Sequence, residues 1–180
     1  MSEDTGATEL LPPHISADFY LWLWFRSENL GGKFTLEDGS GVEVYLDDRL
    51  ALRETGDDKP TTLLTGESPG TTPEARAAVT GGKVPKELRL LIRREDREYH
   101  ATLRGTRVGL AQAKLPTQVK TGEVAEILYD RMFVYEELHW LVSCLLRQFA
   151  AERVSDSWRD SIVPAMREWL SPLDGAPSGG

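Results

Sequence analysis

Residues 19–25 read Phe-Tyr-Leu-Trp-Leu-Trp-Phe, an unbroken apolar run inside an otherwise polar N-terminal region. The run holds two of the chain's five Trp and two of its five Phe. Burying each such side chain contributes roughly 1.5–3 kcal/mol, so whatever covers this run largely decides the fold. Ser16 as an N-cap and Asp18 as a first-turn charge favour a helix over residues 17–28. Asn29-Leu30-Gly31-Gly32 is a strong stop. On such a helix Phe19 and Trp22 lie on one side, Tyr20 and Trp24 on another. Cover is therefore needed from more than one direction. The expectation is a core helix, with Tyr20 and Trp24 as the candidates to face a second subunit.

The remaining elements read as strands followed by helices. Phe34-Thr35-Leu36 precedes a turn at residues 37–41, after which Val42, Val44 and Leu46 alternate with polar neighbours as in a half-buried strand. Thr62-Leu63-Leu64 suits a short edge strand within a Gly-, Asp-, Thr- and Pro-rich stretch. Thr72 followed by Pro73 opens a short helix over 73–80, closed by Gly81-Gly82. Leu88, Leu90 and Ile92, then Tyr99, Ala101 and Leu103, then Val108 and Leu110, predict a three-stranded antiparallel meander with one face on the core. From Gly122 to Arg153 no Gly or Pro interrupts the chain after its first residue, which predicts a helix of about 30 residues, ~45 Å long. Leu128, Tyr135, Leu138, Val142, Leu145 and Phe149 form its apolar stripe. Ser155 can cap a last helix over 156–170. The expected fold is α+β: a mostly antiparallel sheet covered by the aromatic N-terminal helix and a long C-terminal helix pair. One domain spans 16–171, with tails at 1–15 and 172–180.

Length and composition suit such a domain: 180 residues, 40% hydrophobic and 28% charged. The acidic N-terminus lacks a signal-peptide pattern, and no apolar run approaches the ~18 residues that span a bilayer. With the single cysteine, Cys144, these features lead us to expect a cytoplasmic protein with no disulfide and no membrane contact.

Sites of chemistry are sparse. His14, His100 and His139 stand in no metal-ligand spacing, and Cys144 lies among Leu141, Val142, Leu145 and Leu146, the setting of an inert buried thiol. Neither Gly66-Glu67-Ser68-Pro69-Gly70 nor Gly81-Gly82-Lys83 has the form of a phosphate-binding loop. The pairs Asp47-Asp48 and Asp57-Asp58 lack a third ligand; a Mg²⁺-dependent nuclease is the weakest of the readings they admit. No metal, no cofactor and no enzymatic activity are expected.

Charge is the informative feature. The net charge is −8, yet residues 83–120 carry 10 basic and 4 acidic side chains between two acidic segments. The solvent face of the meander would carry Arg89, Arg93, His100 and Arg104, with Arg107 beside them. Such a face can contact phosphates without reading sequence, or it can pair with the acidic flanks. No aromatic residues interleave on it, so stacking on single strands is not indicated.

The order of features resembles one known family. The helix ending Leu21-Trp22-Leu23-Trp24-Phe25-Arg26-Ser27, the short helix ending Ala78-Val79-Thr80-Gly81-Gly82-Lys83-Val84-Pro85-Lys86, the strand Leu88-Arg89-Leu90-Leu91-Ile92 with its hairpin, and the Leu110 to Leu115 segment resemble the C-terminal half of the recombination-associated protein RdgC family over residues 17–150. That resemblance implies a bacterial, non-enzymatic protein that dimerises around duplex DNA and limits access of the RecA recombinase. It places Lys83 and Lys86, in Gly82-Lys83-Val84-Pro85-Lys86, on the family's Gly-Lys-x-Val-x-Lys-like element. On that resemblance the 180 residues are expected to correspond to about half of the family's length, and Asp47 and Asp48 stand where a DNA-facing wall would carry basic or neutral residues. The implied contacts are Lys83, Lys86, Arg89, Arg93, Arg94, Arg104 and Arg107, with duplex DNA and a homodimer as partners. The alternative is an acidic, dimerising adaptor that binds a protein through the aromatic or the long helix.

Overall fold

The computed structural model describes residues 13–54 and 61–171. Helix α1 (Pro13–Asn29) is followed by strands β1 (Lys33–Thr35), β2 (Gly41–Glu54) and β3 (Thr61–Thr65), helix α2 (Pro73–Thr80), strands β4 (Lys83–Arg94), β5 (Arg97–Arg104) and β6 (Gly109–Lys114), and helices α3 (Val124–Arg153) and α4 (Val163–Leu170). The fold is α+β, as expected. All pairings are antiparallel, in the order β1-β2-β4-β5-β6, with β3 also on β2.

The sheet follows from its alternation. Leu88, Leu90 and Ile92 of β4 stand opposite Leu103, Ala101 and Tyr99 of β5, and all six are buried on one face. Val42, Val44, Leu50 and Leu52 of β2 continue that face. Between Leu46 and Leu50 the pairing with β4 shifts, and this irregularity lets one 14-residue strand keep its apolar side chains inward along its length.

α1 lies between the sheet and the C-terminal helices. Phe19 and Trp22 meet Phe149 of α3, with ring centroids 5.3 and 5.6 Å apart, while Trp24 and Phe25 meet Trp169 of α4 at 5.0 and 5.5 Å. Glu28 ties this side together: its carboxylate accepts from the indole Nε1 of Trp24 at 2.6 Å and of Trp169 at 3.1 Å, and from Arg76 of α2 at 3.2 Å. Two indoles placed in a core need acceptors, and one carboxylate serves both. After α1, Gly31 and Gly32 take φ of +63° and +62°, and the Gly32 amide donates back to the Arg26 carbonyl at 3.1 Å, closing the helix.

Several expectations are corrected. α1 begins at Pro13, so residues 13–15 belong to the helix rather than to a tail, and Ser16 is a buried residue within the helix rather than its cap. Residues 1–12 and 172–180, the rest of the expected tails, lie outside the described residues, as do Asp57 and Asp58. Tyr20 and Trp24, the candidates to face a second subunit, are 1% and 0% exposed inside the chain's own core, because the sheet and α4 cover the sides that periodicity left open. Leu128 and Tyr135, placed on the apolar stripe of α3, are exposed instead: burial of that helix begins at Val134. α2 is as expected, with the Thr72 hydroxyl accepting from the Ala75 amide at 3.3 Å and Pro73 in the first turn. The last helix contains a π-helical stretch, Trp158–Ile162, ahead of α4.

Candidate nucleic-acid interface

The seven basic residues singled out by the sequence separate into two groups, according to what each side chain meets. Arg89, Arg93 and Arg94 are neutralised. Arg89 Nε lies 3.4 Å from Asp47 and 3.3 Å from Asp48 across the β2–β4 pair. Asp47 and Asp48 are thus strand residues paired with arginine, not a turn that could hold Mg²⁺, and His100 Nδ1 also meets Asp47 at 2.8 Å. Arg93 donates to Glu98 on β5 at 2.9 Å and lies over the Tyr45 ring. Arg49 and Glu87, 2.7 Å apart, extend this ladder of opposite charges. The outer face of the sheet is therefore mixed rather than basic: Glu43 stands opposite Arg93 in register, and the irregularity in β2 brings Asp47 and Asp48 beside Arg89, neither of which is visible in the local charge count.

Arg94 leaves that face altogether. Alternation turns it to the helix side, where it stacks on Trp140 at 4.9 Å and donates to Glu137 of α3 at 2.8 Å and Asp38 at 2.9 Å. Glu137 also accepts from Arg97 and from the Tyr99 hydroxyl. Burial alone would raise the Glu137 carboxyl, but the hydrogen bonds from Tyr99 and Arg97 and the arginine charges outweigh it and hold the group below the usual carboxylate range. Burial, joined by the Glu137 hydrogen bond, pushes the Tyr99 phenol well above its ordinary value.

The second group gathers at one end of the sheet, where β4 begins and β5 ends. Lys86, Arg104 and Arg107 are exposed there and make no ion pair among the described residues. Lys83 stands nearby in β4, its Nζ donating to Thr62 at 2.6 Å. Arg104 faces Glu87 in register, but Glu87 is engaged by Arg49. The turn that carries Arg107 and joins β5 to β6 is held from several directions. The Gly105 amide donates to the Lys86 carbonyl at 3.2 Å, and the Gly105 carbonyl accepts from the Tyr20 hydroxyl at 2.7 Å. Val108 closes the turn at φ +52° with its side chain buried, a left-handed conformation that costs a β-branched residue about 1–2 kcal/mol and persists because the core holds it. Burial, with the charge of Glu87, drives the Tyr20 phenol well above its ordinary value, so it stays a neutral donor.

Tyr20 is the positioning residue that sequence reasoning missed. Its partner lies 85 residues away, and nothing local marks a Tyr in an aromatic run as the anchor of a distant turn. Glu137 was missed for the same reason. Lys114, exposed on β6 opposite His100, adds a cation outside the main cluster.

Among the described residues no group of three or more His, Cys, Asp or Glu is placed to hold a metal ion, and no helix is long and apolar enough to cross a membrane. The cysteine is buried against Arg147, whose Nη2 is 3.4 Å from its sulfur. No protein-family model matches the sequence, and no curated protein matches it.

Proposed function

We propose that this protein is a non-catalytic, RdgC-like DNA-associated protein that contacts duplex DNA through the basic end of its sheet and modulates recombination by occupying the duplex. The observation that carries this reading is the set of Lys86 on β4, Arg104 at the end of β5 and Arg107 on the turn that follows, three exposed cations without carboxylate partners among the described residues, beside a turn fixed from the core. Phosphates are the ligands such a cluster fits, since each fixed cation adds sequence-independent, salt-sensitive affinity. The Gly82-Lys83-Val84-Pro85-Lys86 element belongs to this end of the sheet, which supports carrying the family's contact over to it. Arg89, Arg93 and Arg94 are removed from the contact set, because their charge is already met.

The test is fluorescence anisotropy with a labelled duplex in a salt series. Three phosphate contacts give a slope of log affinity on log salt of about −2.7. Lys86→Glu, Arg104→Glu and Arg107→Glu together are expected to abolish binding at low salt, while Arg93→Glu leaves it nearly unchanged. Equal loss from both, or no binding by the unaltered protein, defeats the reading. The alternative adaptor role is left one surface of the two considered, since Tyr20 and Trp24 are enclosed while the start of α3 is not.

A further inference from the structure

The back of α3 carries an apolar seam that the described residues leave uncovered. Val124, Leu128, Tyr129, Met132 and Tyr135 are all exposed, from 42% to 73%. Over the same turns the opposite side of the helix faces inward: Val134 and Leu138 are buried, and Asp130 accepts from the Gln118 and Val119 amides at 2.8 and 3.0 Å. A surface helix that is apolar on both sides is covered on both sides.

The spacing of the outward residues identifies the cover. Ala125, Leu128, Met132, Tyr135 and His139 recur at alternating intervals of three and four, the a and d positions of a two-helix seam, and Tyr135 and His139 are already stacked edge to face at 4.7 Å. The seam ends at Val142, which turns into the core. In this frame Arg131 falls at g and Glu136 at the following e. Both are exposed, and neither makes an ion pair among the described residues. In a parallel, in-register pair of identical helices, the g position of each faces the next e position of its partner, so Arg131 and Glu136 would neutralise one another twice. An antiparallel pair would set g against g and e against e.

We infer that α3 pairs in parallel with α3 of a second copy of this chain through Leu128, Met132 and Tyr135, with Arg131 and Glu136 setting register. This does not rest on the DNA reading, because the sheet-end cations belong to other elements.

Sedimentation of the full chain tests it. The unaltered protein is expected to be a dimer at micromolar concentration, and Leu128→Glu with Met132→Glu a monomer that keeps the native circular-dichroism spectrum and a cooperative melt whose midpoint no longer depends on concentration, since neither side chain touches the core. Arg131→Glu or Glu136→Arg alone is expected to weaken the dimer about tenfold, having lost two attractions and gained two repulsions, and the two together to restore it. Met132→Cys should oxidise to a cross-linked dimer, as paired a positions fall within the ~4.4–6.8 Å Cα separation that a disulfide spans. The buried Cys144 leaves the introduced thiol as the reactive one. A monomeric wild type, or a dimer untouched by the Leu128 and Met132 changes, overturns the pairing. A dimer dispersed by those changes but not cross-linked through position 132 overturns the parallel register.

Discussion

Replacing Glu137 by Gln removes one negative charge from the point where α3 meets the β4–β5 hairpin. The carboxylate is 14% exposed and receives Arg94, Arg97 and Tyr99. Hydrogen bonds to charged groups contribute about 1.5–3 kcal/mol each. Arg94 keeps Asp38 at 2.9 Å and Ser40 at 3.3 Å, so the loss falls mainly on Arg97 and Tyr99. The amide oxygen of Gln still accepts from one of these, and Arg97 is 27% exposed and recovers some water. The net cost is about 2–3 kcal/mol, or about 5–10 °C in Tm for a chain of this size. Urea unfolding followed by tryptophan fluorescence reads this at constant m. The pH dependence supplies a second check. The folded carboxyl titrates below its unfolded value, so its stabilisation is complete above the unfolded value of about 4.3 and is lost as pH falls through the folded one. The gap between wild type and Glu137→Gln should therefore be flat from neutral pH down to about 5 and shrink below that. A gap under about 0.5 kcal/mol at neutral pH, or one that persists unchanged into strong acid, refutes the assignment of Glu137 as the tie between helix and hairpin.

Two further substitutions probe the elements that position the basic turn. Tyr20→Phe removes the hydroxyl that holds the Gly105 carbonyl at 2.7 Å and should cost about 1 kcal/mol while weakening duplex binding two- to threefold, read by denaturation and anisotropy on the same samples. Gly32→Ala places a methyl 2.2 Å from the Val44 carbonyl oxygen at φ +62°; unfolding should show a loss of about 3 kcal/mol or more, and a near-neutral result would mean that the α1–β1 connection can rearrange.

Much of the architecture is legible along the chain because it is written in local periodicity. Thr72-Pro73 and Gly81-Gly82 bracket α2, the alternation of Leu88 to Ile92 and Tyr99 to Leu103 defines the meander, and the Gly- and Pro-free stretch defines α3. These signals depend on neighbours within a few residues, so they survive without tertiary information. The sequence by itself also determined that the aromatic run must be enclosed, since no solvated arrangement offsets exposing two Trp and two Phe in seven residues.

The tertiary structure decided what encloses that run and which charges remain unmet. Tyr20 and Trp24 could face a partner in a helical projection; the sheet end and Trp169 occupy those sides instead. Arg89, Arg94 and Arg104 look alike in composition, yet the irregularity in β2 sets Asp47 beside the first, alternation sends the second to Glu137, and the third alone stays unpaired, at the end of the sheet. Leu128 and Leu138 share a stripe in sequence, but burial of α3 starts only at Val134. Periodicity fixes the direction of a side chain relative to its own element, whereas its partner depends on where the next element lies, and Coulomb and packing energies are fixed by that distance.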